Sequence, residues 1–548
     1  MNDTDRALAL ADRAWEELLE REPTFATAIG DERYDDRLPD IGEEGRAVAE
    51  TRNRAALEEL ATIDRERLDV TLRTTMDVLE AIATQSLAAI EHRTDRLYVV
   101  NHFVGPGVLL GDIASIQRTD TPEHLDRYEQ RLRALPGYLE TCAEIAREGI
   151  ATGVVSPRIV VDRAVAQVER IVATPAGESP PLAAAAEDDS AARERIAAVW
   201  SEAVAPAFAT YLDVLREYLP HAAESNALTD LPGGDAIYAT EIRSWTTLPL
   251  DPQEVHDLGN ERWEAIQRER FEIAAGLGYD DPAEAIADRT ASGEDTPSSA
   301  EALVDLVEEQ VRRSWEIAPR WFGRLPKANC RVKEIEAYRA ADMAGAFYMP
   351  PTADGQRPGT YYINTYDLPG KALHQLAAVT YHEANPGHHF QIALEMEFDD
   401  RPALRRFGGL LAGSSFAEGW GLYSERLADE MGLYVDEWER LGMLAGQAHR
   451  AARLITDTGL HAFGWSRQDA IEKLVAGGSP RGESETEVDR YIALPAQALA
   501  YMVGMVEIED ARRRTQEKEG AAFDLKAFHD RLLALGQLPL QALRRELG

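Results

Sequence analysis

The stretch that decides the fold runs from Leu373 to Gln391 and reads LHQLAAVTYHEANPGHHFQ. Its first half is almost entirely apolar, which at this length predicts a buried helix. His382, Glu383, His388 and His389 then follow close together in the second half. Buried ionisable groups are costly in free energy unless they are paired or bound to a metal ion. We therefore expect this helix to carry a metal site into the protein interior.

The spacing of the histidines limits how one ion could bind two of them. In a regular helix, six residues from His382 to His388 turn the chain by about 240°, and seven residues to His389 advance it by about 10.5 Å. Neither geometry suits zinc–nitrogen bonds of about 2.0–2.1 Å. Pro386, however, lacks an N–H and clashes with the carbonyl four residues earlier, and Gly387 adds backbone freedom. We predict a bulge or kink here, although the spacing alone leaves a satisfied core histidine as the alternative.

A catalytic zinc site has three protein ligands, one open position and a nearby general base. Glu383 follows His382 directly, as the base does in the helical H-E-x-x-H motif. A third ligand is available in the segment 414–430, SSFAEGWGLYSERLADE, where apolar neighbours indicate that Glu418 is buried. Glu425 comes seven residues later and therefore lies on the same helical face. A solvated charged face is the alternative interpretation of these glutamates.

The sequence resembles the domain-of-unknown-function 885 (DUF885) family from about residue 5 to its end. The segments that carry the resemblance are His382–Gln391 (HEANPGHHFQ), Glu418–Glu425 (EGWGLYSE), Asp457–Trp465 (DTGLHAFGW), Pro495–Gly504 (PAQALAYMVG), Arg357–Gly359 with Tyr361–Asn364, and 523–540. That family is generally placed with the gluzincin metallopeptidases, near the thimet-oligopeptidase-like and angiotensin-converting-enzyme-like folds. The resemblance implies a largely helical, two-lobed molecule with a deep central cleft and one Zn²⁺ per chain on its floor.

The resemblance also implies a role for each residue of the candidate metal site. His382, His388 and Glu418 match the positions that hold zinc, and His389 is a neighbour or the alternative second histidine. Glu425 would orient a ligand histidine through the ring nitrogen that does not bind metal.

Further residues are implied around the cleft. Tyr501 resembles the tyrosine that stabilises the oxyanion, with a buried core aromatic as the alternative. The strand 359–365, which includes Tyr361, resembles an edge strand that pairs with a peptide substrate. The chain departs from the family at Ala496 and Met502, where we expect Gly and Lys. Asp457 and His461 are expected to line the cleft. Arg450 and Arg453 are candidates to bind a substrate carboxylate, with solvated helix charges as the alternative.

Helical periodicity with charged outer faces runs through most of the chain, so the predicted fold class is mainly α. Two β-rich runs at 331–339 and 359–365 flank turn-forming residues and predict a small antiparallel β-sheet beside the cleft. We expect an N-terminal helical lobe at 1–250 and a catalytic lobe at 251–548. The main predicted helices lie at 4–21, 44–65, 69–92, 122–150, 156–174, 190–218, 252–276, 298–317, 371–397, 414–431, 436–463, 467–475, 484–517 and 523–535.

The composition narrows the class of protein. The 548 residues carry a net charge of −38 and include only six lysines. Nucleic-acid binding needs a basic face, which this composition excludes, and an acidic, lysine-poor surface is typical of halophilic adaptation. Cys142 and Cys330 predict free thiols in a reducing compartment. No signal peptide or apolar run of about 18 residues is visible, so we expect a cytoplasmic protein without a membrane partner.

The sequence thus predicts a zinc-dependent hydrolase that cleaves peptide bonds in short peptides, with Glu383 as the general base for a metal-activated water. Two alternatives stay open at this point. One is a metallohydrolase, an amidase or esterase, that acts on a non-peptide small molecule. The other is a non-catalytic protein on a peptidase scaffold.

Overall fold

The computed structural model describes residues 2–335, 340, 345–351 and 358–548, and the protein is mainly α-helical. The helices before residue 250 are α1 (Asp3–Arg21), α2 (Pro23–Ala28), α3 (Glu43–Leu60), α4 (Val70–His92), α5 (Pro106–Ile116), α6 (Pro122–Thr152), α7 (Arg158–Ala173), α8 (Ser190–Val199), α9 (Ala205–Tyr218) and α10 (Gly234–Thr246). The later helices are α11 (Pro252–Leu277), α12 (Pro282–Ser292), α13 (Ala300–Ile317), α14 (Leu373–Glu383), α15 (His388–Met396), α16 (Ala403–Phe407), α17 (Ser415–Glu430), α18 (Glu437–Ala462), α19 (Arg467–Ala476), α20 (Arg481–Ala493), α21 (Ala500–Glu519), α22 (Leu525–Leu535) and α23 (Leu540–Glu546).

Local signals fix where several of these helices begin. Asp69 accepts a hydrogen bond from the backbone of Leu72, which satisfies one of the free N–H groups at the start of α4. Asp251 and Glu254 form the capping box that opens α11, with proline at the first helical position. The mainly α prediction is confirmed. Such start signals and the apolar periodicity of the sequence agree with the observed helices.

Two of the predicted helices are interrupted. The predicted helix at 371–397 is divided into α14 and α15, and the predicted helix at 484–517 into α20 and α21. Pro386 and Pro495 lie in the two breaks, where a proline cannot donate the hydrogen bond that would continue the helix. The glycine and proline residues at 97–111 predict a break between helices, but α5 begins within this stretch, because Pro106 occupies a first-turn position that suits proline.

The small sheet is mixed, so the prediction of an antiparallel sheet is wrong. It has three strands, β1 (Arg331–Glu334), β2 (Ala346–Met349) and β3 (Thr360–Ile363), in the order β1-β3-β2. The two strands found from the sequence, β1 and β3, run parallel, and β2 pairs antiparallel with β3. Because β3 is the middle strand, the prediction that it is an edge strand for a peptide substrate is wrong. A parallel pair needs a crossover connection, and β2 lies within it. Residues 336–339 of the first predicted run, Arg357 and the predicted turn at 354–355 lie outside the described residues.

Two large hydrophobic cores organise the chain. The first combines side chains from Ala7–Leu97 with side chains from Leu228–Leu547. The second lies wholly within Val99–Ala222. The last helix, α23, closes against α4 through ion pairs of Arg545 with Asp77 and of Glu546 with Arg73. The N-terminal helices therefore share a core with the part of the chain from Leu228 to Leu547. The division into lobes at residue 250 stays a prediction.

The described helices were also compared with what a bilayer requires. No single one of them is long and apolar enough to cross a membrane, although one bent pair, Arg481–Ala493 with Gln497–Ala522, meets the criteria of length and composition together.

Candidate metal centre

The helix that carries the first histidine is broken where the proline predicts it. Helix α14 ends at Glu383 and α15 begins at His388, with a cis peptide between Asn385 and Pro386. The indole N–H of Trp420 points at the break and donates to the carbonyls of Pro386 (2.9 Å) and Gly387 (3.2 Å). The predicted interruption is confirmed, and a buried side chain from α17 provides a donor for the Pro386 carbonyl at the break.

Glycines let α17 approach this break. A Cβ atom at Gly421 would lie 2.6 Å from His382 Cε1, and one at Gly387 would lie 1.9 Å from the His382 carbonyl oxygen. On the far side of α17, a Cβ at Gly419 would lie 2.3 Å from the backbone of Gly504 in α21. The segment EGWG thus places one helix between the first histidine and α21, because only glycine leaves room on both sides.

Three predicted ligands converge at the break. His382 Nε2 lies 3.5 Å from Glu418 Oε2, and His388 Nε2 lies 3.6 Å from the same oxygen. One ligand atom from each residue falls within 4.8 Å of the others. Bonds of about 2.0–2.1 Å in a tetrahedral arrangement separate neighbouring ligand atoms by about 3.4 Å. The donor set and its spacing therefore fit a zinc ion. Glu418 comes from α17 and faces the two histidines, which come from α14 and α15.

Glu425 supports the first histidine from behind. Its Oε1 lies 2.9 Å from His382 Nδ1, and its Oε2 accepts a 3.3 Å hydrogen bond from Gln447. The Glu425 carboxylate accepts this hydrogen bond, so Nδ1 of His382 carries a proton and Nε2 faces Glu418. Carboxylate partners of this kind fix the ring and the tautomer of metal-binding histidines.

The electrostatics of the cluster favour positive charge between the three side chains. Burial would raise the pKa of Glu418, but hydrogen bonds with His382 and His388 hold it well below its usual range. Burial would likewise lower the pKa of His382, but Glu418 and Glu425 raise it to about 10. The free protein therefore holds a proton among groups that a metal ion would otherwise neutralise.

His389, the alternative second histidine, is directed elsewhere. Its Nε2 donates to the carbonyl of Ala328 at 2.9 Å, which leaves Nδ1 to accept from the Tyr348 hydroxyl at 3.0 Å. Burial lowers the pKa of His389 to about 4, so the ring is neutral. Because both nitrogens are engaged, His389 ties β2 and the loop before β1 to α15, and it does not join the three converging side chains.

Glu383, the predicted base, is the last residue of α14 and is half-buried beside His382. Within the part of the chain that the structure describes, its carboxylate makes neither an ion pair nor a hydrogen bond. Burial raises the pKa of the Cys330 thiol and of the Tyr361 hydroxyl, and the negative charge of Glu383 raises both pKa values further. Tyr361 is fully buried in β3, so it packs behind the centre and does not border solvent.

Tyr501, the predicted oxyanion donor, lies in the first turn of α21 and is half-buried. Burial and then the negative charge of Glu418 raise its pKa, which keeps the hydroxyl protonated. The guanidinium of Arg453 lies over its ring, 4.7 Å from the ring centre. Tyr501 therefore presents a neutral donor near the carboxylate of the candidate centre.

Asp457 and His461 are fully buried and hold the turn before Tyr501 in place. The Asp457 carboxylate accepts from Ala496 N at 3.1 and 3.0 Å, while His461 Nε2 donates to the Tyr491 carbonyl at 3.0 Å. Burial raises the pKa of Asp457 to about 7 and lowers that of His461 to about 4. Neither residue lines a solvent-filled cleft, so both act through the backbone that precedes α21.

Sequence reasoning missed three residues that shape the centre, namely Gln447, Trp420 and Tyr348. Trp420 carried a signal, since it lies between two glycines in EGWG, but the signal was used only to argue burial of Glu418. No sequence signal singled out Gln447 or Tyr348, because their partners come from distant parts of the chain.

The sequence was compared with protein families and with proteins of known structure. The family model described as "Bacterial protein of unknown function (DUF885)" matches residues 23–547. The chain belongs to the DUF885 family. The predicted membership is thereby confirmed. No curated protein matches this DUF885 chain.

Two solved structures share the fold of this DUF885 protein. A protein from Colwellia psychrerythraea, titled "putative lipoprotein", has a TM-score of 0.92 at 24% identity, with 100% of this chain and 99% of that chain covered. A protein from Shewanella oneidensis, titled "putative lipoprotein of unknown function", has a TM-score of 0.77 at 17% identity, with 98% of each chain covered. At these identities the likeness shows the fold alone.

Proposed function

We propose that this DUF885 protein is a zinc-dependent hydrolase of the gluzincin type that cleaves peptide bonds in short peptides. The observation that carries the proposal is the convergence of His382, His388 and Glu418 beside the unpaired carboxylate of Glu383. A buried set of two histidines and one glutamate is a donor set typical of catalytic zinc, which keeps one position open for substrate or water.

The residues of this site divide the chemical work. A zinc ion held there would act as a Lewis acid on the scissile carbonyl and make water more acidic. Glu383 accepts a proton from the attacking water and passes it to the leaving amine. Glu425 and Gln447 keep His382 in one tautomer and orientation throughout. The hydroxyl of Tyr501 donates a hydrogen bond to the carbonyl oxygen as that oxygen gains negative charge.

The decisive experiment compares the parent protein with the Glu383→Gln variant, purified in high salt without chelator. We expect about one zinc per chain in both proteins by elemental analysis, because Glu383 is not a ligand. Hydrolysis of a short-peptide library, followed by mass spectrometry, should fall about 10²–10⁴-fold in the variant. Glu437→Gln, which changes an exposed glutamate of α18, is the matched control and should behave like the parent.

Three outcomes would contradict parts of the proposal. Equal peptide cleavage by Glu383→Gln and the parent would show that Glu383 is not the base. Hydrolysis of amides or esters of non-peptide compounds, with peptides left intact, would favour the amidase or esterase alternative. Metal binding without turnover of either class of compound would favour a non-catalytic protein.

A cytoplasmic location is proposed separately from the activity. It is supported by Cys142 and Cys330, which are both buried free thiols. The titles of the two solved structures call those proteins lipoproteins, which points the other way. Fractionation of the producing cells, with an antibody to this protein, would decide between the soluble fraction and the membranes.

A further inference from the structure

One face of α18 connects the support of the candidate centre to Tyr501. Gln447, Arg450 and Arg453 follow one another at intervals of three residues and therefore project from neighbouring positions on this face. Gln447 reaches Glu425, the carboxylate that holds His382, and Arg453 lies over the ring of Tyr501. Arg450 lies between these two contacts, so its side chain emerges between the metal ligands' support and Tyr501.

The guanidinium of Arg450 has little to bind within the protein. Its one hydrogen bond in the described residues goes to the carbonyl of Gly446, at 3.3 Å in its own helix, and its Nε is buried without a partner. A Cβ at Gly446 would lie 3.4 Å from Arg450 Nη1 and 3.9 Å from Glu425 Oε2. The guanidinium of Arg450 and the carboxylate that holds His382 thus lie close to each other across Gly446.

Arg450 differs from Arg440, another arginine of α18, in its ion pairs. Arg440, nearly three turns earlier on α18, pairs with both Asp429 and Glu437, as surface arginines of this acidic protein commonly do. In the described parts of the chain, no carboxylate lies within ion-pair distance of Arg450. Arg450 acts on the Glu483 carboxyl only through its charge, because no hydrogen bond or ion pair joins these two side chains among the described residues.

The neighbouring carboxylate of Glu487 is already used by two other arginines. Arg453 and Arg490 share a single carboxylate, Glu487, at 2.8 and 3.0 Å. The same carboxylate oxygen also accepts from the hydroxyl of Tyr491 at 2.8 Å. Glu487 is therefore fully engaged and cannot neutralise Arg450 as well. Among the described residues Arg450 is thus left without an ion-pair partner, and a guanidinium in this position attracts an anion.

We propose that Arg450 binds the C-terminal carboxylate of a peptide substrate, so that cleavage is directed to a bond near the C-terminus of the peptide. A guanidinium binds a carboxylate through two parallel hydrogen bonds, which fixes the geometry as well as the charge. The proposal rests on the proposed peptidase function. It adds that a free C-terminus is recognised and that this end of the peptide lies along α18.

The experiment uses one peptide that the parent protein cleaves, made with a free C-terminal carboxylate and with a C-terminal amide. For the parent we expect kcat/KM to be about 10- to 100-fold higher for the acid than for the amide, as a charge-assisted bond supplies. In Arg450→Ala this ratio should fall to near one, and in Arg450→Lys to an intermediate value. Arg440→Ala, the matched surface control, should keep the parent's ratio.

A binding measurement separates this proposal from the peptidase function. The Glu383→Gln variant, with and without Arg450→Ala, is titrated with the same two peptides by calorimetry. Tighter binding of the acid, lost with Arg450→Ala, would support the subsite even if no peptide were cleaved. Equal affinities for acid and amide, or an unchanged preference after Arg450→Ala, would overturn it, whereas absence of cleavage by the zinc-loaded parent would overturn only the peptidase function.

Discussion

Ala496 has φ 64°, a left-handed conformation that an L-residue with a side chain adopts at a cost of about 1–2 kcal/mol. The residue starts the turn that leads to Tyr501, and its N–H is held by Asp457. Substitution by glycine removes the strain but also a buried methyl group. We expect Ala496→Gly to leave the free energy of unfolding nearly unchanged or to raise it.

The matched substitution is Ala500→Gly, at a buried position with φ −53° at the start of α21. There glycine loses the methyl group and gains only conformational freedom in the unfolded chain, so the stability should fall. Urea unfolding should place the two variants about 2 kcal/mol apart, with Ala496→Gly the more stable. An equal loss in both would show that the turn at residue 496 is not strained.

Asp457 makes the stability depend on pH. Burial raises its pKa to about 7 in the folded protein from a usual value of 3.8, so the folded state keeps a proton that the unfolded state has released between these values. The contribution of Asp457 to the free energy of unfolding therefore declines as pH rises from about 4 to 7. The whole decline is at most about 4 kcal/mol.

Asp457→Asn tests this dependence, because the amide oxygen can still accept from Ala496 and Tyr238. Urea unfolding at pH 5, 6, 7 and 8 should show the parent losing stability relative to the variant as the pH rises. Parallel pH profiles of the two proteins would show that Asp457 does not titrate in this range.

At the scale of single residues, the sequence predicted types and spacings better than orientations. The choice between His388 and His389 could not be made from spacing, since each is displaced from His382 in a regular helix. In the structure, the His389 ring donates to the Ala328 carbonyl and accepts from the Tyr348 hydroxyl, and these hydrogen bonds orient the ring away from the centre. Such partners come from loops and strands whose positions depend on the whole fold.

Among the elements, the close approach of α17 to α14 makes a sharp prediction. A Cβ at Gly421 would lie 2.6 Å from the ring of His382, and a helix cannot move aside without opening the core. We expect Gly421→Ala to lower zinc affinity at least about tenfold, measured by competition with a chelator, because the ring loses its orientation.

The control for this prediction is Gly482→Ala in α20. No heavy atom lies within 4 Å of the added methyl group at Gly482, so zinc affinity should match the parent and stability should not fall. Equal zinc affinity in Gly421→Ala and Gly482→Ala would mean that the ring of His382 is not confined by α17.

The elements with long periodic patterns were the ones that could be predicted. Helix α11 follows its capping box, and the break in the 371–397 helix follows Pro386. The strand β2 was missed because its residues, AFYM, do not alternate between apolar and polar side chains. The direction of β1 relative to β3 was also wrong, because pairing direction depends on the path of the connection and not on either strand's residues.

For the whole molecule, the net charge of −38 predicts a strong salt dependence. The Debye length falls from about 10 Å at 0.1 M salt to about 3 Å at 1 M, which weakens repulsion among carboxylates. We expect the urea midpoint of the parent to rise steadily with NaCl over this range. A non-ionic osmolyte at equal osmolality is the control, and an equal rise with it would show that charge screening is not the cause.

The arrangement of the two hydrophobic cores has a consequence for how the protein is made. A ribosome that has released residues up to Ala222 has delivered every side chain of the second core, which can then close. The apolar faces of α1 and α4 have left earlier, yet their partners extend to Leu547. At about 5–20 residues per second, these faces wait roughly half a minute to a minute and a half for α23. During synthesis, the first helices to appear are thus among the last to be covered.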